Sequence, residues 1–460
     1  MISAPDRQSE PPIAPKPEAA PRPTFRDSLA VYLQRRVLIV LLLGFSSGLP
    51  LALSGSTLLV WMRESGVDLG TIGLFALVGT PYTLKFLWAP LVDALHLPFF
   101  TRTFGRRRGW LVCSQLALIA AILLLALTDP ARSPLFVALG ALLVAAMSST
   151  QDIVVDAFRV ESLPESEQAA GMASYVAAYR VGMLVSTAGA LFLVSAFEGT
   201  GIPRSSAWMW GYVTMAAMVL IGTVTALAAT EPGQSARAEA ATSTETAFVR
   251  VIHAAVGAFS EFLVRKNALA ALAFVVLFKF TDAFSGTMTA PFVIDLGFSR
   301  NDYAAIVKGV GLAATLIGGF AGGFVARRYS LAASLWIGGL LQALANLSFS
   351  WLALVGVNQW ALAFAITAEN FTSAIGTVIF VAYLSALCQN PLHTATQYAL
   401  LTAFAAVGRT YLSSGAGYVA TAVGWPLFFA ICVVVAVPSL ILLAWLQRRG
   451  HFATLEAAKA

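Results

Sequence analysis

PLFVALGALLVAAMSSTQDIVVDA, residues 134–157, reads for most of its length as a helix that crosses a bilayer, yet it closes on Gln151, Asp152 and Asp156. About 20 apolar residues at 1.5 Å rise span the hydrocarbon layer. A carboxylate placed there costs about 3 kcal/mol on insertion scales, so each one calls for a partner or a role. Stretches of the same kind run near 37–60, 70–92, 110–128, 170–195 and 207–229, and again near 268–293, 303–325, 331–354, 359–387, 396–421 and 426–446. The polar stretch 230–267 divides them six and six. This predicts an all-α membrane protein of twelve transmembrane helices, in two six-helix pseudo-repeat halves over 37–229 and 268–446.

Composition agrees with that reading. Hydrophobic residues make up 58% of the chain and charged residues 11%, against about 25% charged in soluble domains. The net charge of +6 is spread over short clusters between apolar stretches, not gathered on one groove or arm, which excludes nucleic acid as a partner. Cys113, Cys388 and Cys432 stand far apart, without the paired spacing of a metal site. His96, His253, His393 and His451 fall in predicted loops or the tail. There is no G-x-x-x-x-G-K-[ST] phosphate loop, no H-E-x-x-H helix and no G-x-S-x-G elbow, so an ATP-driven pump, a membrane protease and an esterase lack their machinery. No enzyme activity, cofactor or metal is expected.

Short loops set the orientation. Arg102 and the run Arg106, Arg107, Arg108 follow helix 2, Arg327 and Arg328 follow helix 8, and Arg448 and Arg449 follow helix 12. The other side carries scattered singles, Arg63, Arg132, Arg204 and Arg300. By the positive-inside rule both termini and the central linker are cytoplasmic. The first 36 residues, rich in Pro and charge over 1–29, are expected as a disordered tail that is not cleaved, and 447–460 as a second tail. In the linker, Phe248, Val251, Ile252, Ala255, Phe259 and Phe262 recur at helical spacing, which suits a helix lying on the membrane surface.

The halves echo each other. SYVAAYRVGMLVSTAGA around Arg180 aligns with LTAFAAVGRTYLSSGAG around Arg409, and the arginines after helix 2 are matched by those after helix 8. The spans also hold Lys85, Lys279, Lys308, Asp282 and Glu369. Asp152 and Asp156 lie one turn apart on one helix face, where like charges oppose joint ionisation, which suits proton coupling. Asp282 and Glu369 are the rival coupling residues. Lys279 and Asp282 are spaced either to neutralise each other or to meet a ligand. Tyr82, Lys85, Gln151, Arg180, Lys279, Glu369, Asn370 and Arg409 form the candidate substrate site, with Tyr82 and Asn370 equally readable as core. Asp93 with Arg106, Arg107 and Arg108 is expected to act as a conformational latch, against the simpler topogenic reading of the arginines.

Several segments resemble the AmpG-type muropeptide permeases of the major facilitator superfamily. These are GFSSGLPLAL at 44–53, YTLKFLWAPLVD at 82–93, GRRRGW at 105–110, STQDIVVDAF at 149–158, FKFTDAF at 278–284, Glu369–Asn370 and ATQYALLTAFAAVGR at 395–409. The resemblance implies a multi-pass permease of the bacterial inner membrane, and a monomer is expected. It implies proton symport of N-acetylglucosaminyl-1,6-anhydro-N-acetylmuramyl peptides from periplasm to cytoplasm, for peptidoglycan recycling and β-lactamase induction. The chain departs from the pattern in two ways: LHLPFFTRTF separates Asp93 from the arginine cluster, and the C-terminal helices that several members add are not expected. Helix 5 lacks the Gly-Pro motif of efflux antiporters, which favours import. The alternatives are a carrier of another organic anion, such as an acyl-coenzyme A, and a non-transporting membrane receptor.

Overall fold

The computed structural model describes residues 30–233, 267–388 and 394–457. The expected tail over 1–29, the linker helix over 248–262, His253 and His393 lie outside the described residues. In chain order the crossing segments are α1 (Arg35–Glu64), α2 (69–94), α3 (Arg106–Ala126), α4 (Pro134–Ser162), α5 (Ala170–Gly199), α6 (Arg204–Ala228), α7 (Ala268–Asp295), α8 (Arg300–Arg328), α9 (Leu331–Val355), α10 (Gln359–Leu387), α11 (394–423) and α12 (Trp425–Arg448). Among the described residues ten of these are long and apolar enough to cross a membrane. The other two, α2 and α11, are helical but broken.

The breaks follow from local sequence. In α2, Pro81 and Pro90 open the short helices Thr80–Leu84 and Ala89–Ala94, where a residue without an N–H begins a turn instead of interrupting one. In α11 a tight 3-10 turn covers Leu412–Gly415. The midsection of α5 and the first third of α8 widen into π turns at Val185–Gly189 and Tyr303–Val310, a distortion often found at functional sites. A short helix, α13 (His451–Ala457), returns onto the second half. Its Phe452 and Leu455 are buried there, and His451 Nε2 lies 3.1 Å from the Tyr383 hydroxyl of α10.

One turn closes the corresponding helices α1 and α7 of the two halves, and closes α5 as well, where Ile202 N–H donates to Phe197 O at 3.2 Å. After α1, Val67 N–H donates to Met62 O at 3.1 Å; after α7, Phe298 N–H donates to Val293 O at 3.3 Å. Gly66 and Gly297 take the left-handed conformation at φ +81° and +98°, which favours glycine. Asp68 and Ser299 then cap the next helix through their side chains.

Packing differs between the two ends of the molecule. At the end holding Trp61, Val67 and Phe298, one apolar core joins both halves, with Leu53 and Ile72 from the first and Phe284, Met288, Phe292 and Phe428 from the second. At the end holding Arg106–Arg108 each half has its own core, around Val40 and Phe158 in the first and Phe274 and Tyr383 in the second. Ion pairs and hydrogen bonds between halves follow the same rule. Among the described residues they join Arg63 to Asp295 and Arg300 to Glu64 and Glu198 at the shared-core end, and Thr83 to Thr410 at mid-depth. The cleft between the halves is therefore sealed at the shared core, and the inter-half bonds among the described residues gather there and at mid-depth.

Candidate substrate and proton site

The first half supplies one wall of the cleft from α1, α2, α4 and α5. Glycine decides how close α1 and α5 come: a Cβ at Gly44, Gly48 or Gly182 would overlap the carbonyls of Tyr175, Tyr179 and Phe45. The approach fixes Tyr175 beside Ser47 and brings Tyr175 and Tyr179 within electrostatic reach of the α4 acids. Gln151 and Asp152 are buried, and Gln151 Nε2 donates to Ser47 Oγ at 3.2 Å. Trp88 Nε1 donates to Thr150 Oγ1 at 3.2 Å, tying the lower part of α2 to α4. Lys85, Asp156, Tyr82, Tyr175 and Tyr179 all lie within electrostatic reach of Asp152.

Tyr82 OH, Ser148 Oγ, Gln151 Oε1 and Asp152 Oδ1 are buried here with no well-formed hydrogen bond, although Tyr82 lies close to Ser148 and Asp152 close to Ser47. Buried polar atoms in folded chains are nearly always bonded, so this group is suited to water, a proton or cargo. Asp156 differs from its neighbour. Its carboxylate is 49% exposed and pairs with Arg159 at 3.6 Å.

The second half builds its wall from α7, α8, α10 and α11. Lys279 Nζ donates to Asp282 Oδ2 at 3.2 Å and to Thr377 Oγ1 at 2.8 Å, and Ser373 Oγ donates to Asp282 Oδ1 at 2.8 Å. The pair expected from spacing is formed and bonded further to α10. Glu369 accepts from Asn370 Nδ2 at 2.8 Å, with Asp282, Lys279 and Lys308 in electrostatic reach. Asn370 also donates to Ile366 O at 3.0 Å and accepts from Thr315 Oγ1 at 3.2 Å. Its amide is engaged in joining α8 to α10.

The cations divide into two groups. Lys279 is paired, and Lys308 stacks over Tyr303 at 5.4 Å. The side chains of Lys85, Arg180 and Arg409 form no hydrogen bond or ion pair with another described residue. Arg180 and Arg409, one from each half, both reach Tyr179. Lys85 follows Thr83 and Arg409 precedes Thr410, which are hydrogen-bonded at 3.1 Å. Lys85 thus faces the buried Asp152 carboxylate, while Arg180 and Arg409 approach Tyr179 from the two halves, in a cleft closed at one end.

A match to the Major Facilitator Superfamily model runs over residues 38–409. The chain belongs to that superfamily. It is a multi-pass membrane transporter and not an enzyme. The anhydromuropeptide permease of Escherichia coli (strain K12) is 39% identical over 416 residues, covering 90% of this chain and 80% of its own. A Rickettsia felis transporter named AmpG 4 is 34% identical, covering 91% of this chain and 98% of its own. Among solved structures, the nucleoside transporter NupG superposes with a TM-score of 0.67 at 13% identity over 91% of this chain and 99% of its own, and a POT family transporter with 0.66 at 12% over 90% and 96%. Those two likenesses establish the fold.

The loop of this superfamily member after α2 is tied by acids that the sequence did not single out. Arg106 and Arg107 converge on Glu161 at the end of α4, Arg107 Nη2 at 2.6 Å from Oε1. Glu231, beyond α6, accepts the backbone N–H groups of Arg107 and Arg108 at 2.8 and 3.0 Å, a carboxylate at a helix N-terminus. Arg108 also donates to the carbonyls of Ala226 and Leu227. The side chain of Asp93, the expected partner, lies outside the described residues. Arg63 and Arg300, read as scattered singles, hold the inter-half ion pairs. Their signal was the repeated turn, with an acid two residues before each of Gly66 and Gly297.

Proposed function

We propose that this chain is a proton-driven importer of anhydromuropeptides, carrying N-acetylglucosaminyl-1,6-anhydro-N-acetylmuramyl peptides from periplasm to cytoplasm for peptidoglycan recycling. The observation that carries this reading is the 39% identity to the Escherichia coli permease of that name over 90% of the chain. The site chemistry supports it. Muropeptides bring carboxylates and many hydroxyls, and Lys85, Arg180 and Arg409 are free to take the former as charge-assisted hydrogen bonds, while the buried polar atoms of Tyr82, Ser148 and Gln151 suit the latter.

On this reading the arginine-rich end faces the cytoplasm, both termini are cytoplasmic, and the shared core seals the periplasmic side. A single chain carries both cleft walls and works as a monomer. Asp152 is the coupling carboxylate. It is buried on α4 between Lys85 and the tyrosines, whereas Asp156 already has Arg159 and Asp282 has Lys279 and Ser373.

Uptake by proteoliposomes, compared across labelled anhydromuropeptide, an acyl-coenzyme A and a small dicarboxylate, tests the cargo. Selective uptake of the first supports the proposal. Selective uptake of either of the others, or binding without counterflow, overturns it.

A further inference from the structure

Arg300 stands on the second half, but every partner of its guanidinium belongs to the first. Its Nε donates to Glu64 Oε1 at 2.6 Å, its Nη2 to Glu198 Oε2 at 2.8 Å, and its Cζ lies 5.5 Å from the centre of the Trp208 ring. The side chain is 6% exposed. It enters the socket from a rigid base, since Ser299 and Asp302 cap the start of α8 reciprocally and Gln359 Nε2 holds Asp302 at 2.6 Å.

The socket acids are provided for differently. Glu64 also accepts from Trp208 Nε1 at 3.3 Å, and Glu198 pairs with Arg204 at 3.2 Å, both within the first half. Asp295 receives Arg63 from across the interface and Trp425 Nε1 from its own half at 3.1 Å. Glu64 and Asp295 precede Gly66 and Gly297 by two residues each, so the acid and its same-half tryptophan are a repeated device. Arg63 too keeps a bond at home, to Val67 O at 2.9 Å. Separating the halves therefore leaves Glu64, Glu198, Asp295 and Arg63 each with a partner on its own side, and strips Arg300 alone.

We propose that Arg300 is the bolt of the gate at this end of the cleft, and that Glu64, Glu198 and Trp208 are its socket. Opening the cleft to this side withdraws the bolt, while Arg63–Asp295 acts as a weaker secondary clasp. The same-half donors keep the acids from being left bare in the open state, where an uncompensated buried charge would be costly. Arg300 Nη1 is buried without a partner even in the closed state, which leaves the bolt less than fully satisfied and able to leave. The inference concerns access and stands apart from the identity of the cargo.

The test reads accessibility. Ala304, one turn below Arg300, is buried in the shared core. With Cys113, Cys388 and Cys432 replaced by alanine, an Ala304→Cys reporter is labelled from the outer side with a membrane-impermeant thiol reagent. Arg300→Gln is expected to raise labelling on the order of tenfold, the shift produced by losing one well-held ion pair between two states, and Arg63→Gln to raise it less. The Glu64→Gln, Glu198→Gln double variant empties the socket without touching the bolt and gives the same rise. Arg63→Asp raises labelling, and adding Asp295→Arg lowers it again. Unchanged labelling in both Arg300→Gln and the socket double variant, in protein that elutes as a folded monodisperse species, overturns the proposal. So does a larger rise in Arg63→Gln than in Arg300→Gln.

Discussion

Asp152 and Thr377 occupy the same place in two helices of equal length. Pro134–Ser162 and Gln359–Leu387 both contain 29 residues, and each of the two positions comes 18 residues after its helix start (152 − 134 and 377 − 359). In the first half that place holds an acid. In the second half it holds a hydroxyl that accepts from Lys279, and Ser373, the counterpart of Ser148, donates to Asp282. The repeat thus preserves the depth of the polar site, while the acid bonded at that depth in the second half, Asp282, stands on α7. Asp152→Asn should abolish gradient-driven accumulation of cargo and leave cargo exchange at equal pH within about twofold. Asp156→Asn should retain most of both. Parallel accumulation and exchange assays check this, and the assignment fails if Asp282→Asn or Glu369→Gln gives the uncoupled pattern while Asp152→Asn transports normally.

Lys85, Arg180 and Arg409 have no ion pair to lose, so neutralising them should cost transport without costing the fold. Each of Lys85→Gln, Arg180→Gln and Arg409→Gln is expected to lower uptake about tenfold or more, as loss of a charge-assisted bond to cargo implies, with unaltered thermal stability. Lys279→Gln should behave in the opposite way. It leaves Asp282 with Ser373 alone in the membrane and should lower the unfolding temperature. Uptake measured beside the melting curve of each purified variant separates the two classes.

Close approach of α1 and α5 gives a packing prediction. A Cβ at Gly48 would overlap the Tyr179 carbonyl, a backbone atom that cannot swing away, so Gly48→Ala should destabilise the first half by about 1–3 kcal/mol. Gly199, with nothing within 4 Å of its added Cβ, is the control, and Gly199→Ala should melt with the parent chain.

The all-helical membrane fold and ten of the twelve expected spans were legible, because hydropathy reports what the bilayer demands of each segment locally. The intramembrane charges stood out for the same reason. The Lys279–Asp282 contact could also be read, since both residues lie on one helix at fixed spacing. Contacts between helices could not. Nothing near Arg106–Arg108 in the chain points to Glu161 or Glu231, and Arg300 with Glu64 and Glu198 joins residues 236 and 102 positions apart. Glu369, a rival coupling residue by sequence, lies eight residues (377 − 369) before the counterpart of Asp152 on a helix of equal length. Asn370 is readable from sequence as either cargo ligand or core, and its bond to Thr315 is invisible until α8 and α10 are packed together.

The C-terminal helix α13 carries a pH prediction. Burial holds the His451 imidazole below its ordinary value of about 6.5, so the docked helix takes up a proton less readily than the released one. Docking is therefore at full strength above about pH 6.5 and weakens as the pH falls below it. Hydrogen-exchange protection over 451–457, corrected for the intrinsic rate, should stay constant from neutral pH upward and decline toward about pH 5. Tyr383→Phe should reduce it throughout. Protection that is flat across this range would remove the imidazole from the docking energetics.

Accumulation against a gradient tests the transport account most directly. Purified protein is reconstituted into liposomes, a pH difference is imposed with the external side acid, and labelled N-acetylglucosaminyl-1,6-anhydro-N-acetylmuramyl peptide is followed inside. The account predicts accumulation above the external concentration that collapses on adding a protonophore and is absent in Asp152→Asn. Failure to accumulate the labelled muropeptide under this gradient, or accumulation that the protonophore does not affect, would contradict it.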